Sequence, residues 1–173
     1  MRRRGRATGG LIAGAALLAA FIAPAIAQNT SGVLITEVDG AITPVVADHL
    51  SAAVDRAAET SSVLVVTLDT PGGLDTSMRD IVQVFLNAPV PVVVYVEPEG
   101  ARAASAGTYI TMAAHVAAMA PATSIGAATP VDLQGGEITD KIINDAAAFA
   151  ISVAERQGRN VEFAESAVRE GTS

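Results

Sequence analysis

The sequence predicts an α/β fold with a mostly parallel sheet, and three observations support that prediction. Short apolar runs rich in β-branched residues, VLITEVDG, SVLVVTLD and PVPVVVYVE, are typical of strands. A longer segment with helical periodicity follows each of these runs. Strands that alternate with helices build a parallel sheet, and we expect helices to cover both of its faces.

The first strand and helix have clear end signals. VLITEVDG (33–40) is predicted as a strand that ends in a turn, and TPVVADHLSAAVDRAAE (43–59) as a helix. Thr43 can cap this helix, and Pro44 suits its first turn, where an amide hydrogen has no intrahelical acceptor. SVLVVTLD (62–69) is a continuous apolar run, which is typical of a strand buried on both faces.

The middle of the chain alternates tight turns with regular elements. TPGG (70–73) is a turn, LDTSMRDIVQVFLNA (74–88) an amphipathic helix and PVPVVVYVE (89–97) another buried strand. The next helix is predicted from Ala104 to about Ala118. The two connections TPGG and EPEGARAAS each lead from a strand to a helix, where binding sites of parallel sheets collect.

The last third of the chain is predicted to be mainly helical. MAPATSIGAATPV (119–131) is a short strand and loop, and DLQGGEITD (132–140) is an exposed loop. KIINDAAAFAISVAERQG (141–158) is a helix, and RNVEFAESAVREGTS starts another. Because this last helix has no clear end signal before Ser173, we expect the domain to be truncated at its C-terminus.

The first 27 residues have the three-part layout of a secretory signal peptide. A basic start, RRRGR, precedes the apolar run GGLIAGAALLAAFIAP, and the small-x-small pattern Ala25-Ile26-Ala27 precedes Gln28. The apolar run is shorter than the about 20 residues of a membrane-spanning helix. An uncleaved N-terminal anchor is the alternative. Both interpretations place residues 28–173, as one domain, in the periplasm or at the cell surface.

Composition excludes several function classes. Outside the N-terminal segment, seven basic residues face 18 acidic ones, a net charge of −11. Nucleic-acid binding relies on basic surface, so we expect no nucleic-acid partner. The chain has no cysteine and two histidines, which exclude disulfides, thiolate nucleophiles and metal sites rich in cysteine or histidine. We therefore expect neither a metal nor a cofactor.

The stretch GARAASAGTYI places one serine, Ser105, where a strand passes into a helix. This serine is either a helix cap or a nucleophile, and a nucleophile needs a base and donors that stabilise an oxyanion. The amide of Ala106 lies at a helix start, where amides are free. A second donor can come from Gly72 or Gly73, because glycine leaves no Cβ between the backbone and a cleft.

The base has three candidates. His115 lies ten residues beyond Ser105 on the same predicted helix, a rise of about 15 Å, which is out of reach. His49 lies on the first predicted helix with no motif around it. Lys141, the only lysine, starts an apolar helix face, and a lysine in a low-dielectric cleft can act as a general base. Spacing alone leaves a Ser105–Lys141 dyad open against a capping serine and a solvent-facing lysine.

Several motifs together resemble the membrane-bound serine proteases of the NfeD family, in the ClpP/crotonase-like superfamily. The resemblance runs from about Gly32 to the end, through DTPGGLDTSMRDIVQVF, PVVVYVEPEGARAASAGTYITMAAHVAAMAPATSIGAATPV and KIINDAAAFAISVAERQGRNVEFAE. It implies a ClpP/crotonase-like fold of repeated β-β-α units. It also implies site roles: Ser105 as nucleophile, Lys141 as general base, and Gly72, Gly73 and Ala106 as oxyanion and substrate-binding positions.

Comparison within the superfamily supports this resemblance. Soluble ClpP peptidases carry their catalytic histidine in the strand region that corresponds to SIGAATP, which has no histidine here. In bacterial signal peptide peptidases the catalytic lysine precedes the serine, whereas Lys141 follows Ser105. Longer NfeD-family members continue into transmembrane helices and a small C-terminal β-barrel domain, which this sequence does not contain.

The resemblance implies an exported Ser–Lys endopeptidase that cleaves hydrophobic segments of membrane-associated, stomatin-like proteins as a homodimer or larger assembly. Two alternatives stay open. The first is an inactive module that binds hydrophobic segments, with Ser105 as a helix cap. The second is a crotonase-type acyl-CoA enzyme, which predicts a cytoplasmic chain with a basic CoA-binding surface and is disfavoured by the signal peptide and the acidic charge.

Overall fold

The computed structural model describes residues 32–132 and 136–173, and the predicted signal segment lies outside them. The strands are β1 (Val33–Asp39), β2 (Val63–Asp69), β3 (Val92–Val96), β4 (Arg102–Ala104), β5 (Val116–Met119) and β6 (Ser124–Gly126). The helices are α1 (Pro44–Thr60), α2 (Asp75–Leu86), α3 (Ala106–Ala113), α4 (Asp140–Arg156) and α5 (Val161–Arg169). This order contains the β-β-α units β3–β4–α3 and β5–β6–α4, and the predicted α/β class is confirmed.

The main sheet has the strand order β1-β2-β3-β5, and its neighbouring strands are parallel. Leu64 on β2 pairs with Val92 on β3, and Val94 on β3 pairs with Ala117 on β5. A second, two-stranded sheet pairs β4 with β6, also in parallel. This small sheet ends at the pair of Ala104 and Gly126, and Ala104 directly precedes Ser105.

The main sheet is covered on one face, not on both. On β2, Leu64, Val66 and Leu68 are buried, whereas Val65 stays half-buried. Its partner on β1, Ile35, is 65% exposed. Within the described ranges, the prediction of a strand buried on both faces is therefore wrong. An apolar run does not indicate whether one or both faces of the strand are covered, because β-branched side chains also suit a half-buried surface.

The third helix is shorter than predicted, because α3 ends at Ala113 and the apolar stretch that follows is strand β5. VAAM has no period that separates strand from helix, and pairing with β3 decides its conformation. His115 lies in the connection, where its Nδ1 accepts a hydrogen bond from the Val92 amide at 3.1 Å. Strand β4, which has only three residues, was not predicted from the sequence.

Small side chains let the helices approach one another closely. The buried face of α4 consists mainly of alanines, and Ala147, Ala150 and Ala154 are fully buried. Tyr109 on α3 inserts against this helix, and its hydroxyl donates to the Ala146 carbonyl at 3.2 Å. No helix in the two described ranges combines the length and the apolarity needed to cross a membrane.

Burial raises the pKa of Tyr109 to about 12, with a further contribution from the negative charge of Asp75. An unfolded tyrosine loses its proton near pH 10, so between about pH 10 and about pH 12 the folded state binds more protons. The free energy of unfolding therefore falls as the pH rises through this window, by up to about 2.5 kcal/mol. Below it, this contribution is fully present.

We predict that Tyr109→Phe removes most of this alkaline loss while costing about 1 kcal/mol at neutral pH, through the lost hydrogen bond. Urea denaturation across the alkaline range measures both effects. Tyr95→Phe is the control and should keep the alkaline loss. Equal pH dependence in the parent chain and in Tyr109→Phe would contradict the prediction.

Candidate active site

Ser105 lies between the end of β4 and the start of α3, at the cap position of the helix. Its backbone angles are φ 52° and ψ −113°, a sparsely populated region for a residue with a side chain. The side chain is half-buried and makes no capping hydrogen bond. The serine therefore occupies a capping position without using its hydroxyl as a cap.

Buried hydrogen bonds hold Ser105 in this conformation. Its amide donates to the Gly126 carbonyl at 2.9 Å. The Thr108 hydroxyl oxygen accepts from the Gly126 amide at 3.1 Å and lies within hydrogen-bonding distance of the Ala103 and Gly126 carbonyls, at 3.0 and 2.8 Å. Thr108 is fully buried. Thr108 was not among the predicted site residues, although it lies three positions after the serine in the same motif.

The TPGG turn is tied to the strand that leads into Ser105. The Thr70 amide donates to the Arg102 carbonyl at 2.7 Å, and the Ala104 amide donates to the Thr70 carbonyl at 3.0 Å. The buried Thr70 hydroxyl accepts from the Gly72 amide at 3.1 Å. The Gly72 amide is therefore already bonded in this conformation. Thr70 was not among the predicted site residues, and its only signal in the sequence is its place directly before Pro-Gly-Gly.

The two connections predicted to form a site lie in direct contact. Gly72 has φ +117°, and a Cβ placed on it would lie 2.7 Å from the Cβ and 3.1 Å from the Oγ of Ser105. Gly73 lies still closer to the backbone of Ile42, because a Cβ on it would lie 2.1 Å from the Ile42 carbonyl oxygen. Ile42 in turn bonds to Gly72 and Leu74 on either side of Gly73. Glycine is required at both positions, since a side chain would either displace the serine or break this backbone pairing.

Two amides remain as candidate oxyanion donors. Ala106 is the first residue of α3, and the first amides of a helix have no intrahelical acceptor. The Gly73 amide forms no hydrogen bond with the described part of the chain. Both residues line the same cavity as Ser105. This pair fits the oxyanion role better than a pair that includes Gly72.

The cavity beside Ser105 has a volume of about 190 Å³ and a mainly apolar wall. Its remaining lining residues are Leu74, Asp75, Met78, Tyr109, Ala128, Pro130, Val131 and Ala146. Leu74 and Val131 are exposed at its rim, whereas Met78 and Tyr109 are buried. A space of this kind accepts a medium-sized aliphatic side chain next to the serine hydroxyl.

Lys141 does not line this cavity. It is the second residue of α4, is exposed to solvent and forms no ion pair with a described residue. Ala146, farther along the same helix, does line the cavity. The structure thus brings Ser105 together with both turn glycines and Ala106, while Lys141 lies at the start of a helix that borders the site.

The histidines lie elsewhere. His49 Nε2 is 2.6 Å from the hydroxyl of Thr36 on β1, and the His115 ring accepts a hydrogen bond from the amide of Val92, the first residue of β3. Neither lines the cavity. Among residues 32–132 and 136–173, no group of three or more histidine, aspartate or glutamate side chains is suited to hold a metal ion.

Comparison with known proteins shows the family of the chain and a related protease. Residues 32–172 match the model of the N-terminal domain of NfeD1b. The chain is 40% identical over 148 residues to the membrane-bound protease PH1510 of Pyrococcus horikoshii, which covers 82% of this chain. The chain spans 33% of the length of that relative.

Solved structures show the same fold. Two structures of the 1510-N membrane-bound stomatin-specific protease, a serine-to-alanine mutant and a lysine-to-alanine mutant in complex with a substrate peptide, each have a TM-score of 0.78 and 36% identity. They cover 83% of this chain, which covers 72% and 68% of theirs. A ClpP1 mutant from Listeria monocytogenes has a TM-score of 0.61 and 20% identity. The match covers 78% of this chain and 79% of the ClpP1 chain, and at this identity it shows the fold alone. The predicted ClpP-like fold is confirmed.

We predict that Thr70→Val lowers the free energy of unfolding by about 1–3 kcal/mol, because the isosteric change leaves the buried Gly72 amide without its acceptor. Thr60→Val is the matched control, since the Thr60 hydroxyl bonds to the Arg56 carbonyl at an exposed helix end. It should cost less than about 0.5 kcal/mol. Urea denaturation measures both, and equal losses would argue against a special role for Thr70.

Proposed function

Because the chain belongs to the NfeD1b N-terminal domain family, we propose that it is an exported serine endopeptidase with a Ser105–Lys141 dyad. The observation that carries the proposal is the strained conformation of Ser105. Its hydroxyl forms no capping hydrogen bond, lies beside Gly72 and lines an apolar cavity. A capping serine has no need of a strained backbone. A nucleophile gains from one, because strain held by the surrounding structure fixes the attacking oxygen in place.

The proposed reaction begins with attack of Ser105 Oγ on the scissile carbonyl, as its proton passes to the amine of Lys141. The amides of Gly73 and Ala106 donate to the oxyanion that forms. Lys141 then returns the proton to the leaving amine, and water hydrolyses the acyl-enzyme with Lys141 again as base. Gly72 supports the nucleophile by leaving room for it.

Lys141 is assigned from the resemblance and from its helix. Solved structures of the related 1510-N protease include a serine-to-alanine mutant, and a lysine-to-alanine mutant in complex with a substrate peptide. In this chain Lys141 is the only lysine, and its helix borders the cavity through Ala146. The proposal requires the flexible Lys141 side chain to reach Ser105 when a substrate covers the cleft.

The proposed substrates are hydrophobic segments of membrane-associated proteins. The cavity wall supports an aliphatic side chain beside the cleaved bond, and the exposed Leu74 and Val131 extend the apolar surface. The TPGG turn can pair with an extended peptide backbone. The 1510-N relative is named as stomatin-specific, so we propose a stomatin-like partner for this chain as well. We also propose export by residues 1–27 and assembly into a homodimer or larger form.

One observation favours the inactive binding module as a second candidate. Lys141 is exposed and outside the cavity lining, so the base is not in place beside the serine in this conformation. The acyl-CoA enzyme has no such support. Among the described residues that line the cavity, none has a basic side chain that could hold the phosphates of CoA.

The decisive experiment compares the parent chain with Ser105→Ala and Lys141→Ala on apolar peptides. We predict a loss of at least about 1000-fold in kcat/KM for Ser105→Ala and of about 100-fold or more for Lys141→Ala. Circular dichroism establishes folding, and a fluorophosphonate probe reports the reactivity of Ser105 in the parent. A folded parent that neither cleaves nor reacts with the probe would favour the binding module.

The activity should rise towards alkaline pH, because a protonated Lys141 cannot accept a proton. The pH profile of kcat/KM on an apolar peptide measures this. A rate that peaked in mildly acidic solution and fell above neutral pH would contradict the assignment of the base.

Gly72→Ala tests the close approach of the two turns. The new methyl group would meet Ser105, so we predict a loss of about 100-fold or more in the rate of fluorophosphonate labelling in a chain that still folds. Gly100→Ala is the matched control. Gly100 also has a positive φ, of +88°, but a Cβ there meets nothing within 4 Å. The control should lose stability through strain alone and keep its labelling rate.

A further inference from the structure

Arg79 on α2 joins two helices beside the proposed site. Its Nε donates to Asp75 Oδ2 at 2.9 Å, one turn earlier on α2, and its Nη2 donates to Asp145 Oδ2 on α4 at 2.5 Å. Its guanidinium also lies over the ring of Phe149 on α4, 4.5 Å from the ring centroid. A single side chain therefore ties α2 to α4 by charge and by ring contact.

A second set of contacts leads from this arginine towards the nucleophile. The rings of Phe149 and Tyr109 stack at a centroid distance of 5.8 Å and an interplanar angle of 20°. Tyr109 lies one helical turn after Ser105 and lines the cavity. Its hydroxyl donates to the carbonyl of Ala146. The middle of α4 is thus positioned against the helix that carries the serine.

Asp145 lies four residues after Lys141 on α4. Residues with this spacing are neighbours on one helix face, with Cβ atoms about 5–6 Å apart. The Asp145 carboxylate is therefore within range of two cations, Arg79 and Lys141. It bonds to Arg79, and Lys141 forms no ion pair within the described part of the chain.

We propose that Arg79 is a positioning residue for Lys141. It holds α4 beside the cavity, and it engages Asp145 so that this carboxylate does not stabilise the protonated, inactive form of the Lys141 amine. The inference rests on the proposed function, in which the neutral amine is the general base. Arg79 and Lys141 thus compete for the carboxylate of Asp145. Arg79 binds it, because its guanidinium is also held by Asp75 and by the ring of Phe149.

Other charges near the first half of α4 do not compete in this way. They lie on the packed helices and on the chain that leads into α4: Asp75 and Asp80 on α2, Tyr109 on α3, Asp140 on α4, Glu165 and Arg169 on α5, and Asp132 and Glu137 before α4. Arg169 bonds to Glu165 at 2.8 Å and to the neutral Asn144 at 2.9 Å. Asp145 differs from these groups, because it follows Lys141 by one helical turn and also bonds to a side chain on another helix.

Arg79 stays charged wherever a lysine titrates. Burial lowers the pKa of Arg79, but the hydrogen bond and charge of Asp75 and the charge of Asp145 outweigh it and raise the pKa above its ordinary value. The competition for Asp145 is therefore set by geometry throughout the pH range of interest.

The test uses the fact that Lys141 is the only lysine in the chain. Only a neutral amine reacts with acetic anhydride, so trace acetylation at a series of pH values, read by peptide mass spectrometry, reports the protonation of Lys141 without any need for proteolysis. We expect Arg79→Met to move this profile to higher pH by about 0.2–0.4 of a unit. The double variant Arg79→Met/Asp145→Asn should return it to the parent position, and Arg79→Lys, which keeps the charge, should stay close to the parent.

Arg169→Met is the matched control. It removes an arginine that also bonds a carboxylate one turn away and a side chain on α4, but it frees no carboxylate beside Lys141. Its acetylation profile should match the parent. A profile that does not move in Arg79→Met, or that moves equally in Arg169→Met, would overturn the inference.

The same variants, assayed on an apolar peptide, separate this inference from the proposed function. If both are correct, the alkaline rise of kcat/KM moves with the acetylation profile in Arg79→Met. If Ser105→Ala cleaves as well as the parent, the proposed function fails, while the acetylation profiles still decide the competition for Asp145. A uniform loss of rate with an unmoved profile would overturn the positioning role and leave Arg79 a structural residue.

Discussion

The contact between Gly72 and Ser105 is the constraint on which the rest of the site depends. Two strand-to-helix connections must approach until backbone and side chain are in van der Waals contact, which only a residue without a Cβ permits at position 72. Thr70 fixes one connection through its bonds to β4, and Thr108 fixes the other through Gly126. The strained backbone of Ser105 persists because these buried bonds determine it from both sides.

Small side chains also allow close packing between the helices. Alanines on α4 allow it to lie close to α3, and Tyr109 fills the remaining space between them while keeping its hydroxyl bonded. Because Tyr109 is also a wall of the cavity, the packing that stabilises the domain and the surface that would receive a substrate are one structure. A change in helix packing is therefore expected to alter the site, even where it does not touch Ser105.

The charged residues near the site form a short bridge across the helices. Arg79 spans α2 and α4, partly shielded by Phe149, in a chain whose acidic residues outnumber its basic ones. An exposed pair of this kind contributes little to stability by itself. Its value lies in where it places Asp145, since a carboxylate one turn from Lys141 would otherwise favour the protonated amine.

The sequence by itself determined the fold class, the order of the main elements and the two connections that meet. Apolar runs, capping residues and the TPGG and AASAGT motifs each involve residues that are close together in the chain. Such signals can therefore be read from the sequence alone. Tertiary structure decided the rest. Whether VAAM pairs with β3, whether β2 is covered on one face or on both, and which glycine amide stays free depend on neighbours distant in the chain. Arg79 illustrates the same limit, because its partner Asp145 lies 66 residues away and no spacing rule joins them.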